Sequence, residues 1–135
     1  HECINQCYLE SKKREENCIF KVKNLSELII EKNKGEQIDY DVCISLALIH
    51  HLRISCNIPL NLILKFILSL SKNGIIEFID KKDEQCKKLL NLKKDTYYDY
   101  NLDNFLKIIK FQNFEIKKVS EIKKEKRFLI EYEKN

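Results

Sequence analysis

The stretch Asp41–Leu52, which reads DVCISLALIHHL, decides the fold of this chain. Apolar and β-branched residues run almost without interruption and then end abruptly in the pair His50–His51. The run is too short to cross a membrane, and its composition is typical of a buried parallel strand. We therefore predict a strand over Tyr40–Leu48. Ligands of open α/β sheets bind beyond the carboxyl ends of the strands, so the histidine pair marks a candidate cleft.

The chain after this stretch predicts a helix and a second strand. Pro59 fits the first turn of a helix, because its missing N–H costs nothing there. Apolar residues then repeat at helical spacing as far as Ser69, with polar residues on another face, which predicts an amphipathic helix lying on a sheet. Asn73–Gly74 suits the C-cap of this helix. Ile75–Ile79 predicts a second buried strand that ends at Asp80.

The remaining elements follow from periodicity, charge and turn residues. No internal repeat and no Gly/Ser/Pro linker interrupts residues 1–135, so we predict a single α/β domain with an antiparallel terminal strand pair. Its predicted core is Ile44, Leu46, Ile63, Ile67, Ile76 and Phe78. Further predicted elements are helices over Glu2–Glu16, Lys82–Leu92 and Asn101–Lys110, strands over Cys18–Val22, Phe114–Ile122 and Arg127–Tyr132, and a helix or long charged connection over Leu25–Gln37.

Composition points to a folded protein with a mildly basic surface. Hydrophobic residues make up 44% of the 135 residues, charged residues 34%, and the net charge is +4. Basic residues are scattered among acidic ones, which favours a solvated surface over nucleic-acid binding. The six cysteines show neither Cys-x-x-Cys nor zinc-type spacing, so we predict no metal site and a reducing cytoplasm. The apolar segments are too short and too polar to span a bilayer, so we also predict no membrane span. The chain begins at His1 and contains no methionine, and we expect an amino-terminal part to precede it.

Four segments carry a resemblance to a known family: Asp41–Leu52, Asn57–Leu60, Gly74–Phe78 and Asp95–Phe105. They resemble class I S-adenosylmethionine-dependent methyltransferases, in particular a bacterial subgroup described as nodulation-protein-like. The resemblance implies a Rossmann-like methyltransferase sheet with helices on both faces and a reversed final strand inserted beside its neighbour. It makes Cys18–Val22 the third strand and Tyr40–Leu48 the fourth.

The same resemblance implies that this chain is the carboxyl-terminal portion of a methyltransferase domain. Its first two strands would lie before His1, together with the Gly-rich turn and the acidic residue that hold the cofactor. In the family those strands lie between the third and the fourth. We therefore expect a gap or an exposed sheet edge beside Tyr40–Leu48.

The resemblance also implies a set of site residues around S-adenosyl-L-methionine. Asn24, with Leu25 beside it, matches a position that faces the adenine amino group, although an ordinary turn before a helix is an equal alternative. Ser45, Leu46 and Ala47 would wall the methionine end of the cofactor, or simply form strand core. These five residues are the predicted cofactor-binding set.

Two histidines and several further residues are candidates for the acceptor side. His50 and His51 are candidate general bases, but in the family the pair usually shapes the cleft floor and caps the following helix. Glu77 and Asp80 are predicted either to line the substrate side or to form a solvated strand end. The tyrosines of the segment 97–100 form either an aromatic lid or ordinary packing: Tyr97, Tyr98 and Tyr100.

The leading functional hypothesis is methyl transfer from S-adenosyl-L-methionine to an unknown acceptor, with the chain as the carboxyl-terminal part of the enzyme. A non-catalytic remnant or protein-interaction module of the same fold is the alternative. Nucleic-acid binding has only the Lys-rich segments in its favour, among them Lys117–Lys126. The acceptor and the oligomeric state do not follow from the sequence.

Overall fold

The computed structural model describes residues 2–22, 24–31, 40–91, 93 and 96–135. Its helices and strands alternate through the middle of the chain and end in a β-hairpin. In chain order they are α1 (Glu2–Lys13), α2 (Leu25–Glu31), β1 (Tyr40–Ser45), a π-helical turn (His51–Ser55), α3 (Leu60–Leu68), β2 (Ser71–Ile79), α4 (Glu84–Leu90), α5 (Leu102–Phe111), β3 (Phe114–Lys123) and β4 (Arg127–Lys134). Among the described residues, no helix is long and apolar enough to cross a membrane.

The four strands form one mixed sheet in the order β1-β2-β4-β3. β1 and β2 are parallel, with Cys43 opposite Gly74 and Ser45 opposite Ile76. β4 is antiparallel to both of its neighbours, β2 and β3. β3 therefore runs in the same direction as β1 and β2, and β4 alone is reversed. The expected exposed edge is present in the described part of the chain, where β1 ends the sheet.

The hydrophobic core lies between one face of the sheet and the helices α3 and α5, which also contact each other. The ring of Phe78 on β2 lies 5.1 Å from that of Phe105 on α5 and 5.1 Å from that of Tyr100. Burial of such aromatic and aliphatic side chains provides the main driving force for folding. Four of the predicted core residues are confirmed as buried: Ile63, Ile67, Ile76 and Phe78.

The opposite face of the sheet is open along β1. Ile44 is 64% exposed and Leu46 is 55% exposed, so the prediction that both are buried is wrong. Side chains alternate between the two faces of a strand, and Ile44 points away from α3 and α5. Helices were predicted on both faces, but the two helices that pack on the described sheet, α3 and α5, lie on one face.

Gly74 belongs to β2 and does not cap a helix, which corrects the predicted C-cap at Asn73–Gly74. Helix α3 ends at Leu68, and the chain enters β2 at Ser71. A Cβ atom at Gly74 would lie 2.5 Å from Tyr132 Oη and closer still to the Cys43 carbonyl oxygen. Glycine is required here because the backbone of β1 and the Tyr132 side chain on β4 both occupy the space of a Cβ atom.

The predicted strand at Cys18–Val22 is absent from the structure. Residues 18–22 have no regular secondary structure, and Ile19 is 83% exposed. Their β-branched composition suits a strand, but a strand also needs a neighbour that pairs with its backbone.

The structure corrects one further predicted boundary and confirms another. β1 ends at Ser45 and not at Leu48, and Asn101 caps α5 as predicted, its side chain accepting a hydrogen bond from Asn104 N. Part of the predicted helix or connection over Leu25–Gln37 lies outside the described residues.

Candidate functional site

Polar side chains gather at the end of the sheet where β1 and β2 finish. Parallel neighbours end at the same edge of a sheet, so the residues after β1 meet those at the end of β2. β1 supplies Ser45 and the loop Leu46–Leu48, and His50 and His51 begin the next helical turn. β2 supplies Glu77 near its end.

Ser45 is the last residue of β1 and is buried, at 6% exposed. Within the described part of the chain, its Oγ has no hydrogen-bond partner. An unpaired buried hydroxyl costs about 1–3 kcal/mol, so such groups are uncommon in folded proteins. The Ser45 hydroxyl is therefore an enclosed polar group without a partner at the end of β1.

The loop after β1 turns sharply at Ala47. Its φ angle is 50°, a left-handed conformation that few residues other than glycine adopt. The Ala47 N–H donates a hydrogen bond of 2.7 Å to Glu77 Oε2. The carboxylate at the end of β2 thus contacts the backbone at the turn, while the side chains of Leu46 and Ala47 are exposed.

The two histidines occupy different environments. His50 is 2% exposed and its Nδ1 has no hydrogen-bond partner among the described residues, whereas His51 is exposed, with its ring 4.1 Å from that of His50. Burial lowers the pKa of His50 to about 4, and the nearby His51 and Arg127 contribute in the same direction, against the opposing effect of Asp83. His50 is therefore neutral at physiological pH.

A network of ion pairs lies beside His50. Arg127, the first residue of β4, donates two hydrogen bonds to Asp83, from Nε at 3.0 Å and from Nη2 at 3.1 Å. Its Nη1 lies 3.5 Å from Glu77 Oε1. Asp83 is fully buried and also accepts a hydrogen bond from Gln85 N, so it caps α4. The Arg127 guanidinium holds the pKa of Asp83 well below its usual range.

Sequence reasoning missed Asp83 and Arg127 as members of this cluster. The N-cap position of Asp83, directly before a charged helix, was a usable signal for the capping role. The pairing with Arg127 spans 44 residues of chain, and local sequence patterns do not reveal such a contact. Glu77 and Asp80 were predicted either to line the substrate side or to be solvated. Glu77 is instead buried, and Asp80 accepts a hydrogen bond from Lys82 N in the turn after β2.

Asn24 and Leu25 lie at the start of α2. The Asn24 Oδ1 accepts a hydrogen bond of 3.1 Å from Ser26 N, and its Nδ2 donates to Glu27 at 2.7 Å. Asn24 therefore acts as a helix cap, which was the alternative interpretation of this residue. Helix α2 contacts α3, and Ser26 Oγ contacts Cys56 Sγ at 3.4 Å.

Tyr97 and Tyr100 are buried in the core and do not form a lid. The Tyr100 hydroxyl donates to the Ile79 carbonyl oxygen at 2.9 Å, and the Tyr97 hydroxyl lies 3.1 Å from the Ile54 carbonyl oxygen. The Arg53 guanidinium stacks over the Tyr97 ring at 4.6 Å. Tyr98 is 81% exposed, so only Tyr97 and Tyr100 pack in the core.

Several lysines of the hairpin formed by β3 and β4 are paired with carboxylates. Lys117 pairs with Glu115 and Glu133, while Lys123 and Lys126 both pair with Glu84. No group of three or more His, Cys, Asp or Glu side chains in the described ranges is arranged to hold a metal ion.

Comparison with known proteins gives one partial relative. Over 65 residues, 48% of its length, the chain is 37% identical to the nodulation protein NoeA of Rhizobium meliloti (strain 1021). The aligned part is 14% of that protein, so the chain spans a small share of its relative. No family model matches the chain, and no solved structure matches it.

Proposed function

We propose that this chain is the carboxyl-terminal portion of a class I methyltransferase domain, and that the whole enzyme transfers a methyl group from S-adenosyl-L-methionine to an acceptor of unknown identity. The supporting observation is the sheet order β1-β2-β4-β3 with β4 alone reversed. A reversed final strand inserted beside its neighbour is the strand arrangement that the resembled family has. The similarity to NoeA, as a nodulation protein, is compatible with this proposal.

We propose that the residues at the end of β1 contact one end of such a cofactor. The unpaired Ser45 hydroxyl can donate a hydrogen bond, and the exposed loop Leu46–Ala47 offers backbone groups and apolar side chains. Asn24 and Leu25 remain the proposed adenine side, although the Asn24 carbonyl oxygen already accepts a bond from its own helix. We propose that a preceding segment of the enzyme binds the ribose and the remainder of the methionine moiety.

The bound cofactor would supply a sulfonium methyl group: the acceptor atom would bond to the methyl carbon in line as the methyl–sulfur bond breaks, and a neutral thioether would leave. This chain contributes positioning and at most one base. His50 is a poor base, because it is buried and its pKa is lowered to about 4. We propose that His50 forms the floor of the cleft and that the exposed His51 accepts the acceptor proton.

Calorimetric titration with S-adenosylmethionine tests the proposal on two polypeptides, the 135-residue chain and a longer natural polypeptide that contains it. The longer form should bind. The 135-residue chain should bind between about thirtyfold and about twenty-thousandfold more weakly, because two lost ligand contacts cost roughly 1–3 kcal/mol each. Absence of binding by the longer form would refute the methyltransferase function. Equally tight binding by both would refute the division of the domain.

Two serine variants of the longer form locate the ligand. Ser45→Ala should weaken binding about fivefold or more while leaving the free energy of unfolding equal or higher, because it removes an unpaired buried hydroxyl. Ser120→Ala, on β3, is the matched control and should leave binding unchanged. Equal binding by wild type and Ser45→Ala would remove Ser45 from the proposed site.

A non-catalytic interaction module of the same fold is the second candidate. Its supporting observation is the row of exposed apolar side chains along β1, in which Val42 is 56% exposed and Ile44 is 64% exposed. Such a row on an edge strand suits contact with another polypeptide. This candidate predicts no cofactor binding by either form.

The free thiols of the described cysteines are compatible with the reducing cytoplasm that we propose as the location.

A further inference from the structure

Ala47 holds a strained backbone conformation in the loop after β1. A left-handed φ of 50° is unfavourable for alanine, because its Cβ approaches the neighbouring carbonyl oxygen. Residues in such conformations persist only where surrounding contacts hold them, and they cluster at functional sites.

The Glu77 carboxylate forms a hydrogen bond with the backbone of this turn. Its Oε2 accepts the Ala47 N–H at 2.7 Å, across 30 residues of sequence. Hydrogen bonds to a carboxylate are about twice as strong as those between neutral groups. The side chain of Glu77 is 6% exposed, so water competes poorly for this bond.

The position of the Glu77 carboxylate is itself fixed. Its other oxygen, Oε1, lies 3.5 Å from Arg127 Nη1, and Arg127 is anchored by its two hydrogen bonds to the buried Asp83. The turn after β1 is thus tied, through one carboxylate, to the start of β4 and to the cap of α4. A solvated carboxylate at the end of a strand has none of these contacts.

We propose that Glu77 is a positioning residue that locks Ala47 in the left-handed conformation and thereby fixes the loop Leu46–Leu48. Where the proposed methyltransferase function holds, this lock presents the loop to the methionine end of the cofactor, and that consequence rests on the proposed function. The lock itself does not rest on the proposed function, because it concerns the protein without a bound cofactor.

Amide hydrogen exchange of the 135-residue chain, read by NMR, tests the lock. Glu77→Ala should accelerate exchange of the Ala47 amide at least about tenfold beyond any change at the Ile76 amide, since it removes a charge-assisted hydrogen bond. Glu131→Ala changes a carboxylate on the neighbouring strand and should leave Ala47 exchange within twofold. Ala47 exchange within twofold of wild type in the Glu77 variant would overturn the proposal. If Glu77→Ala fails to fold, Glu77→Gln keeps the side-chain volume and is read in the same way, with about threefold acceleration or more expected.

Rescue by glycine separates positioning from a merely structural role. Glycine adopts the left-handed conformation without penalty, so it needs the carboxylate less. In the longer polypeptide, Glu77→Gln should weaken S-adenosylmethionine binding about tenfold, and adding Ala47→Gly should recover about half of that loss on a logarithmic scale. Binding that Glu77→Gln leaves unchanged, or that Ala47→Gly does not improve, would overturn the positioning role.

The two readouts fail separately. If the wild-type longer polypeptide does not bind S-adenosylmethionine, the methyltransferase function is refuted, while accelerated Ala47 exchange in the Glu77 variant still supports the lock. If the wild type binds and Ala47 exchange does not respond, the function stands and the lock is refuted.

Discussion

Acidification should destabilise this protein through His50 well before its carboxylates are protonated. His50 is 2% exposed, and its pKa falls from 6.5 to about 4 in the folded protein. In the unfolded chain the same ring binds a proton near pH 6.5. Between these two values the unfolded state carries more protons than the folded state, so the free energy of unfolding decreases as the pH falls.

The expected loss follows from the size of this interval. Each unit of pKa difference corresponds to about 1.4 kcal/mol, so the complete effect is roughly 3 kcal/mol and is reached below pH 4. Between pH 7 and pH 5 the loss should be roughly 2 kcal/mol. Asp83 and Glu84, whose pKa values are lowered by their basic partners, lose their contribution only at lower pH.

Urea unfolding at pH 7, 6 and 5 measures this loss, with His50→Leu as the test variant. Leucine has a similar volume and no titratable group, so the pH dependence in this interval should fall to less than half of the wild-type value. His51→Gln is the matched control and should retain most of the dependence, because the burial of His50 is unchanged. The contribution of His1 is common to all three proteins and cancels.

Two results would refute this reasoning. A pH dependence in His50→Leu that equals the wild-type dependence would show that His50 is not its source. An NMR titration that gives His50 a pKa above 6 would show that the ring is not held in a buried, uncharged state.

Two further predictions concern the sheet. Ile76→Ala should lower the free energy of unfolding by roughly 2–5 kcal/mol, because Ile76 is buried. Ile44→Ala should lower it by less than about 1 kcal/mol, because that side chain is 64% exposed. Chemical denaturation measures both losses, and equal losses would contradict the assignment of the covered face. Gly74→Ala should destabilise the protein by at least about 2 kcal/mol, because the added Cβ meets the Cys43 carbonyl oxygen and the Tyr132 ring, and a wild-type melting temperature would disprove this close approach.

Local pattern was sufficient for elements whose signals lie within a few residues. The helical repeat after Pro59 correctly predicted α3, and the Asn101 cap correctly placed the start of α5. The antiparallel pairing of the last two strands was also predicted correctly. In each case the residues that form the element also carry the signal for it.

The errors occurred where a segment depends on a distant neighbour. The residues of Cys18–Val22 suit a strand, but no described strand pairs with them. The run around Ile44 is apolar on both faces, and only the tertiary arrangement determines which face the helices cover. Gly74 was interpreted as a helix cap because it follows Asn73 after a predicted helix. Its close contact with Tyr132 was not visible, since Tyr132 lies far away in the sequence.

The candidate site shows the same division. The sequence by itself indicated a strand in the apolar stretch before His50–His51, but it placed the end of that strand at Leu48, whereas β1 ends at Ser45. Only the tertiary structure determined that His50 is buried while His51 is exposed, and that Glu77 contacts the Ala47 backbone. Burial and long-range hydrogen bonds depend on which elements pack together, and a short stretch of sequence does not contain that information.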